Sequence, residues 1–390
     1  MPVRKMKLAG RGGRVAIVDG LRTPFARIAT HYRDLNAIDL GAMAVKELMA
    51  RNNLSQHEIE QLVFGMTVMI PEAPFIAREI ALALGMDTVD AYSITRACAT
   101  SFQTTASVAD NIVAGYTDMA IAGGTDSTSS ARVPLSSELS AVLRDVSFAK
   151  TLKERIKLLS QLKARDLLPQ APSITEYSVG ETMGESTEKM VKKWGVSRQE
   201  QDDLAHASHS NAARAWAEGR LDRQVMTAHL PNGNTLKDDN LVRKQSEREG
   251  YSKLKPVFAA KGSVTAGNSS QMSDGAGALI IVSEKILKQF NLTPLARFAS
   301  FAVRGVPPEI MGIGPKEAIP AALRAAGITQ DQIDWFELNE AFAAQSLAVI
   351  NDLGLDPAKV NPNGSGISLG HPAGATGAII TVKAINELHR

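Results

Sequence analysis

Cys98 is the only cysteine of the chain, and its setting suits a nucleophile. It lies in Ala91-Tyr-Ser-Ile-Thr-Arg-Ala-Cys-Ala-Thr-Ser101, after a short strand-like segment and at the start of an Ala/Ser/Thr-rich stretch that reads as a helix to about Ala114. A sulfur at a helix N-terminus faces unpaired N–H groups and the positive end of the dipole. Both favour thiolate over thiol, and thiolate is the attacking form. The bland alternative is a small buried hydrophobe. His371 lies in Val360-Asn-Pro-Asn-Gly-Ser-Gly-Ile-Ser-Leu-Gly-His-Pro-Ala-Gly-Ala-Thr-Gly377. Its glycines permit a tight turn and close approach of backbone to a ligand, and Pro372 suits the first turn of the helix that follows. An imidazole there can hold the Cys98 proton, the usual pairing for thiol activation. The Gly-x-Gly-x-x-x-Gly spacing departs from the dinucleotide fingerprint, and no suitable acidic residue follows about 20 positions on.

Asn339-Glu-Ala-Phe-Ala343 follows an expected strand. A side-chain amide at a strand end can position a water or donate to a developing oxyanion; the alternative is a helix N-cap. Gly262-Ser-Val-Thr-Ala-Gly-Asn-Ser-Ser270 is small and polar, suited to backbone contact with an extended ligand. The remaining histidines make no metal-site pattern beyond His206 and His209, which read as solvated residues of a polar helix.

The elements that must carry these groups repeat. Arg14-Val-Ala-Ile-Val-Asp-Gly20 reads as a buried strand, and a helix follows around Asp39 to Arg51. Leu54 to Gly65 then reads as a short helix with a Ser55/Glu58 capping pattern leading into a strand at Leu62 to Phe64. Ile328 to Leu338 has the same plan, with Thr329 for Ser55, Ile333 for Ile59 and Asp334 for Glu60. The shift between the copies is 274 positions (328 − 54), which carries Cys98 to 372, one past His371. Duplicated halves about a pseudo-two-fold axis bring those two turns to one site, and strand–helix alternation in each half points to an α/β architecture. Between the halves, Val133 to Lys255 is helical and charge-rich without strand alternation. There Leu152, Ile156 and Leu159 stand at helical spacing beside Lys153, Arg155, Lys157, Lys163 and Arg165. That pattern fits a basic amphipathic helix for a membrane surface or partner subunit, or else a solvated helix packed on its own domain.

At 390 residues the chain exceeds one ordinary core, so two or more domains are expected. With 43 basic and 41 acidic side chains the net charge is only +2, which argues against a general nucleic-acid binder. One cysteine allows no intrachain disulfide and is compatible with a reducing compartment. No apolar run reaches the roughly 18 residues of a membrane span, and the basic start, Met1 to Arg14, lacks the apolar core of a secretory signal.

The motifs RACATS, TAGNSS, NEAFA and GHPAGATG, in this order and spacing, resemble the thiolase family from about Arg14 to Arg390. The Leu152 to Pro169 insertion and Glu181-Thr-Met-Gly184 are most similar to the thiolase subunit of the fatty-acid oxidation trifunctional complex. The resemblance implies a five-layer αβαβα fold of two similar halves, 13–132 (completed by 256–292) and 293–390, with a loop domain at 133–255. It implies Cys98 as the acylated nucleophile, His371 as its activator and Asn339 as part of an oxyanion hole. Arg243, Ala266 and Ser270 fall where family members contact coenzyme A, and Met183 matches a loop-domain Met-Gly. Thr182 stands where many short-chain members carry His, and Asn339 where trifunctional-type subunits often carry it. The implied reaction is thiolysis: Cys98 attacks the 3-keto carbon of a 3-oxoacyl-CoA, acetyl-CoA leaves, and free coenzyme A takes the acyl group from sulfur. Coenzyme A is then a co-substrate, with no bound cofactor or metal. The implied partners are copies of the chain in a homodimer or tetramer, a hydratase/dehydrogenase subunit and a peripheral membrane surface. The implied setting is cytoplasmic, or mitochondrial in a eukaryote.

The repeat also predicts strands beyond the last helix. In the family that stretch carries a second reactive cysteine, in a Cys-x-Gly motif, and a glycine of the second oxyanion hole. Without them the chain lacks a proton donor for the departing enolate and leaves a sheet edge unpaired, so slow or absent acylation at Cys98 and poor stability are expected. Beside degradative thiolysis stand two alternatives, a condensing enzyme such as a biosynthetic thiolase and a non-catalytic thiolase-like subunit.

Overall fold

The computed structural model describes residues 13–168 and 175–390. The basic start therefore lies, up to residue 12, outside the described residues, as does the end of the insertion at Pro169.

The first half is built on a mixed sheet. Val15–Arg22, Gln61–Gly65 and Met119–Asp126 are short apolar runs, and their alternate residues face opposite sides. Gln61–Gly65 lies parallel between Asp90–Ser93 and Met119–Asp126. Ser273–Ser283 is buried along its whole length. It returns antiparallel between Val15–Arg22 and Met119–Asp126, pairing Ala278 with both Leu21 and Gly123. Residues from beyond the loop region thus close the first sheet. One face carries Leu62, Phe64, Ile121 and Ile280 against the helix Ala37–Arg51. The other carries Val63, Ala122, Leu279 and Ile281 against two helices, Thr100–Ala114 and Thr376–Leu388.

Those two helices are counterparts in the repeat, and they touch at their starts. Ala378 N donates to Ser101 Oγ at 2.9 Å. The sequence copies agree in detail: Gln56–Glu58 and Gln330–Gln332 are both single 3₁₀ turns. In each the third residue accepts from the residue before the turn, Ser55 N to Glu58 at 2.7 Å and Thr329 N to Gln332 at 2.9 Å. In the second half Leu338, Val349, Ile350 and Val360 form a further core with Ala343–Leu353. Of the five layers expected, the helix–sheet–helix part of the first half is fully formed. The second sheet is represented among the described residues by one bridge, Phe336 to Val360.

The intervening region is not wholly helical, because two small hairpins, Thr175–Glu176 with Glu181–Thr182 and Ala228–His229 with Thr235–Leu236, interrupt it. Met183–Trp194 and Arg198–Ala217 pack inward. In contrast, Ser137–Phe148 and Leu152–Leu159 bury no residue. Phe148, Leu152 and Ile156 are exposed, and Leu152–Leu159 packs on Ser137–Phe148. No helix of the described residues is long and apolar enough to cross a membrane.

Candidate active site

The duplication delivers Cys98 and His371 to adjoining turns. Asp90–Ser93 ends, the chain turns through Ala97 at φ 44°, a left-handed value unusual for alanine, and the helix begins at Thr100. Cys98 therefore precedes the helix rather than opening it. Its side chain is exposed. Crowding around the turn, and then the Asp126 carboxylate, push its thiol above the ordinary value. Because the side chain reaches solvent, water moderates the packing part of that effect. Both influences oppose the thiolate preference expected from a helix N-terminus.

His371 is half-buried. Its turn, Pro372 to Ala375, comes before the helix, which starts at Thr376, so Pro372 shapes the approach instead of the first helical turn. His371 N donates to Ser273 Oγ at 3.2 Å and its Nδ1 meets Thr376 Oγ1 at 2.7 Å. Asn339 Nδ2 lies 3.3 Å from His371 Nε2. Packing pushes the imidazole down to about 4, so it is neutral at pH 7. Asn339 is no helix cap, since Phe342 holds that position for Ala343–Leu353; its amide is free to face the histidine. No hydrogen bond joins Cys98 to His371 among the described residues. The helices that follow their turns are nonetheless in contact at their starts: a Cβ on Gly377 would come within 2.3 Å of Phe102 N, so the absence of a side chain permits the approach.

The remaining motif residues gather around this pair. The 265–272 segment runs beside NEAFA, with Ser270 N donating to Ala341 O and Ala343 N to Asn268 O, each at 2.9 Å, and then bridges from Met272 to His371. Ala266 is exposed on that segment and Ser270 is half-buried. Met183 opens its helix, and the next residue, Gly184, would place a Cβ 2.3 Å from the Phe258 ring. Phe258 in turn meets Phe342 edge-on at 6.0 Å. Arg243 is exposed, stacks on Tyr251 at 5.6 Å, and donates its N–H to His209 Nδ1 at 3.1 Å. His209 is thus a buried structural acceptor, not a solvated residue, and burial pushes it down to about 4.

Sequence reasoning passed over several residues. Glu340 is buried and accepts from Ser208 Oγ and, at 2.9 Å, from Asn361 Nδ2, tying the Arg198–Ala217 helix to both site loops. Burial pushes its carboxyl up to about 7. Asp126, Ser273 and Thr376 act through contacts that no local pattern announces. Among the described residues no group of three or more His, Cys, Asp or Glu could hold a metal.

A thiol and an imidazole on paired turns, with an amide beside the ring, form a set suited to carrying an acyl group on sulfur. Comparison with known proteins agrees. Models of the thiolase N-terminal and C-terminal domains match residues 15–285 and 292–390. The chain belongs to the thiolase family. It is 47% identical to a 3-ketoacyl-CoA thiolase of Yersinia enterocolitica, covering 97% of this chain and 92% of that one. It is 45% identical, with the same coverage, to one of Escherichia coli. Human mitochondrial 3-ketoacyl-CoA thiolase in complex with CoA superposes with TM-score 0.86 at 34% identity, covering 98% of this chain and 92% of that one. A Bacillus anthracis acetyl-CoA acetyltransferase gives the same TM-score at 33% identity, covering 97% and 92%.

Proposed function

We infer that the chain is a 3-ketoacyl-CoA thiolase, an acetyl-CoA C-acyltransferase of fatty-acid β-oxidation. The observation that carries the reading is the meeting of four motifs, around Cys98, Ser270, Asn339 and His371, on the neighbouring turns of two repeated halves. In this reading Cys98 attacks the 3-keto carbon while neutral His371 takes the thiol proton. Thr376 orients the ring, and the Asn339 amide beside it supports a donor to the developing oxyanion. The C2–C3 bond then breaks, acetyl-CoA leaves as an enolate that takes up the proton held on His371, and free CoA takes the acyl group while its own thiol proton returns to the Cys98 sulfur. Arg243, Ala266, Ser270 and Met183 are the proposed CoA contacts, supported by their exposed or half-buried positions around the 265–272 segment. The domain division proposed is 13–132 with 256–292, 133–255 and 293–390.

The test pairs intact mass with assay in both directions. Incubation with 3-oxoacyl-CoA of several lengths should add one acyl group, however slowly, that is lost in Cys98→Ser, and CoA should release it. Faster condensation of two acetyl-CoA than thiolysis would favour the biosynthetic reading, which the acetyltransferase likeness supports. CoA binding without any adduct would favour a non-catalytic subunit.

We further propose a cytoplasmic or, in a eukaryote, mitochondrial setting, and a second copy of the chain against the outer edge of Asp90–Ser93, which no strand among the described residues covers. Subunit association should appear in sedimentation. The exposed Ser137–Phe148 and Leu152–Leu159 pair, apolar at Phe148, Leu152 and Ile156 with lysines alongside, fits an anionic membrane surface. The chain should co-sediment with phosphatidylglycerol vesicles but not with phosphatidylcholine ones, and Leu152→Glu with Ile156→Glu should abolish that. Retention of binding by the double variant would instead leave this face for a hydratase/dehydrogenase subunit of a trifunctional complex.

A further inference from the structure

One buried ionisable group beside the site has no part in the reaction described above. Asp126 ends the strand Met119–Asp126 and is 1% exposed. A carboxylate so placed is costly unless paired or hydrogen-bonded. Among the described residues its hydrogen-bond partners are all neutral donors from two separate turns. Oδ1 accepts from Thr67 N at 2.7 Å and Val68 N at 2.8 Å. Oδ2 accepts from Thr67 Oγ1 at 2.5 Å and Gly374 N at 2.6 Å. Gly374 lies three residues past His371. The same strand end also backs onto the His371 turn and the helix that follows Cys98: a Cβ on Gly124 would fall 1.9 Å from Gly374 O and 3.1 Å from Ser101 Cβ. Thr104 Oγ1, from the helix that follows Cys98, donates to Gly123 O at 3.0 Å.

We infer that Asp126 is a positioning residue for acyl transfer: its carboxylate ties the His371 turn to the strand end against which the helix following Cys98 packs, and sets its charge between them. The inference rests on Cys98 being the nucleophile. Its electrostatic half agrees with the direction in which this carboxylate moves the thiol. The ionisable groups facing Asp126 are Cys98 and, from the neighbouring strand, Asp274; His371, on the turn Asp126 holds, stays neutral. A thiol left protonated gives up its proton only when substrate brings the sulfur and the imidazole into register.

Because the chain has one cysteine, alkylation by iodoacetamide followed by intact mass reports that sulfur alone. In Asp126→Asn the charge is gone. If the amide oxygen stays on Thr67 N and Val68 N, the amide N–H confronts Gly374 N–H. The midpoint of alkylation rate against pH should fall, while acylation by acyl-CoA slows at least about tenfold as the turn loses its anchor. A folded variant with an unchanged midpoint overturns the inference. Alkylation needs no acyl-CoA, so a lowered midpoint in a chain that takes no acyl group would leave the Asp126–Cys98 coupling standing and remove the thiolase reading instead. An unchanged midpoint in a chain that is acylated does the reverse. Should the variant not fold, carboxyl-¹³C NMR of the unaltered chain decides: the Asp126 resonance must show an inflection at the Cys98 midpoint that alkylation abolishes. Its absence overturns the inference.

Discussion

The base proposed for the reaction, His371, is pushed down to about 4 by its packing and meets Thr376 Oγ1 at 2.7 Å. Replacing it with Gln keeps a polar side chain but removes the proton acceptor. Acylation of Cys98 should slow by about 10²–10⁴-fold, read by quenched-flow mass spectrometry, while the melting temperature stays within a few degrees; an unchanged rate would remove the histidine from the chemistry. Gly124 makes a second, structural case. A methyl there meets the Gly374 carbonyl at 1.9 Å, a backbone atom that cannot swing aside. Gly124→Ala should therefore cost about 1–3 kcal/mol in urea unfolding and move the turn that bears His371. Cys98, His371 and Asn339 were legible because nucleophile, base and amide stand in distinctive local settings. Asp126 and Thr376 were not, since an aspartate at a strand end and a threonine at a helix start are ordinary until another segment arrives beside them.

The helix Arg198–Ala217 shows the limit of pattern reading for an element. Its sequence is mostly polar, which suggests a solvated rod. In the fold Ser208, His209, Gln201 and Asp202 are buried, because this face lies against the site loops, where hydrogen bonds join the apolar contacts of Ala205 with Ile367 and of Ala212 and Ala215 with Leu369. His209 falls from an ordinary 6.5 to about 4. Between those values the unfolded chain holds a proton that the folded chain refuses. Its share of stability is thus full above about 6.5 and lost as pH falls toward about 4. Glu340, raised from 4.5 to about 7, has the opposite sign: its share is full below 4.5 and lost as pH rises through about 7. The overlapping windows partly cancel in the unaltered chain, so the test is a difference. The stability gap between His209→Gln and the unaltered chain should change by roughly 2 kcal/mol between pH 7 and pH 5, and Glu340→Gln should change it the other way. A pH-independent gap for His209→Gln would show that the ring titrates normally.

For the molecule as a whole, Arg22 and Asp239 join the first sheet to the loop region. Both are buried, paired through two hydrogen bonds of 2.6 and 2.8 Å, and Asp239 also accepts from Phe25 N at 2.7 Å. Removing one partner strands a buried charge, so Asp239→Ala should destabilise by about 3–5 kcal/mol. The double variant Arg22→Met with Asp239→Leu should recover part of that loss. No recovery in denaturant melts would mean that the hydrogen bonds to Phe25, rather than the charges, hold the junction.

The sequence alone determined the repeat, the pairing of the Cys98 and His371 turns, and the motifs that mark a thiolase. Each of these is written in local residue types and a constant offset. Tertiary structure decided what surrounds those turns: a thiol shifted upward instead of downward, a buried His209 inside a polar helix, and a carboxylate shared between two loops. Such effects depend on burial and on fields from residues far along the chain, and the order of residues within any one segment does not encode them.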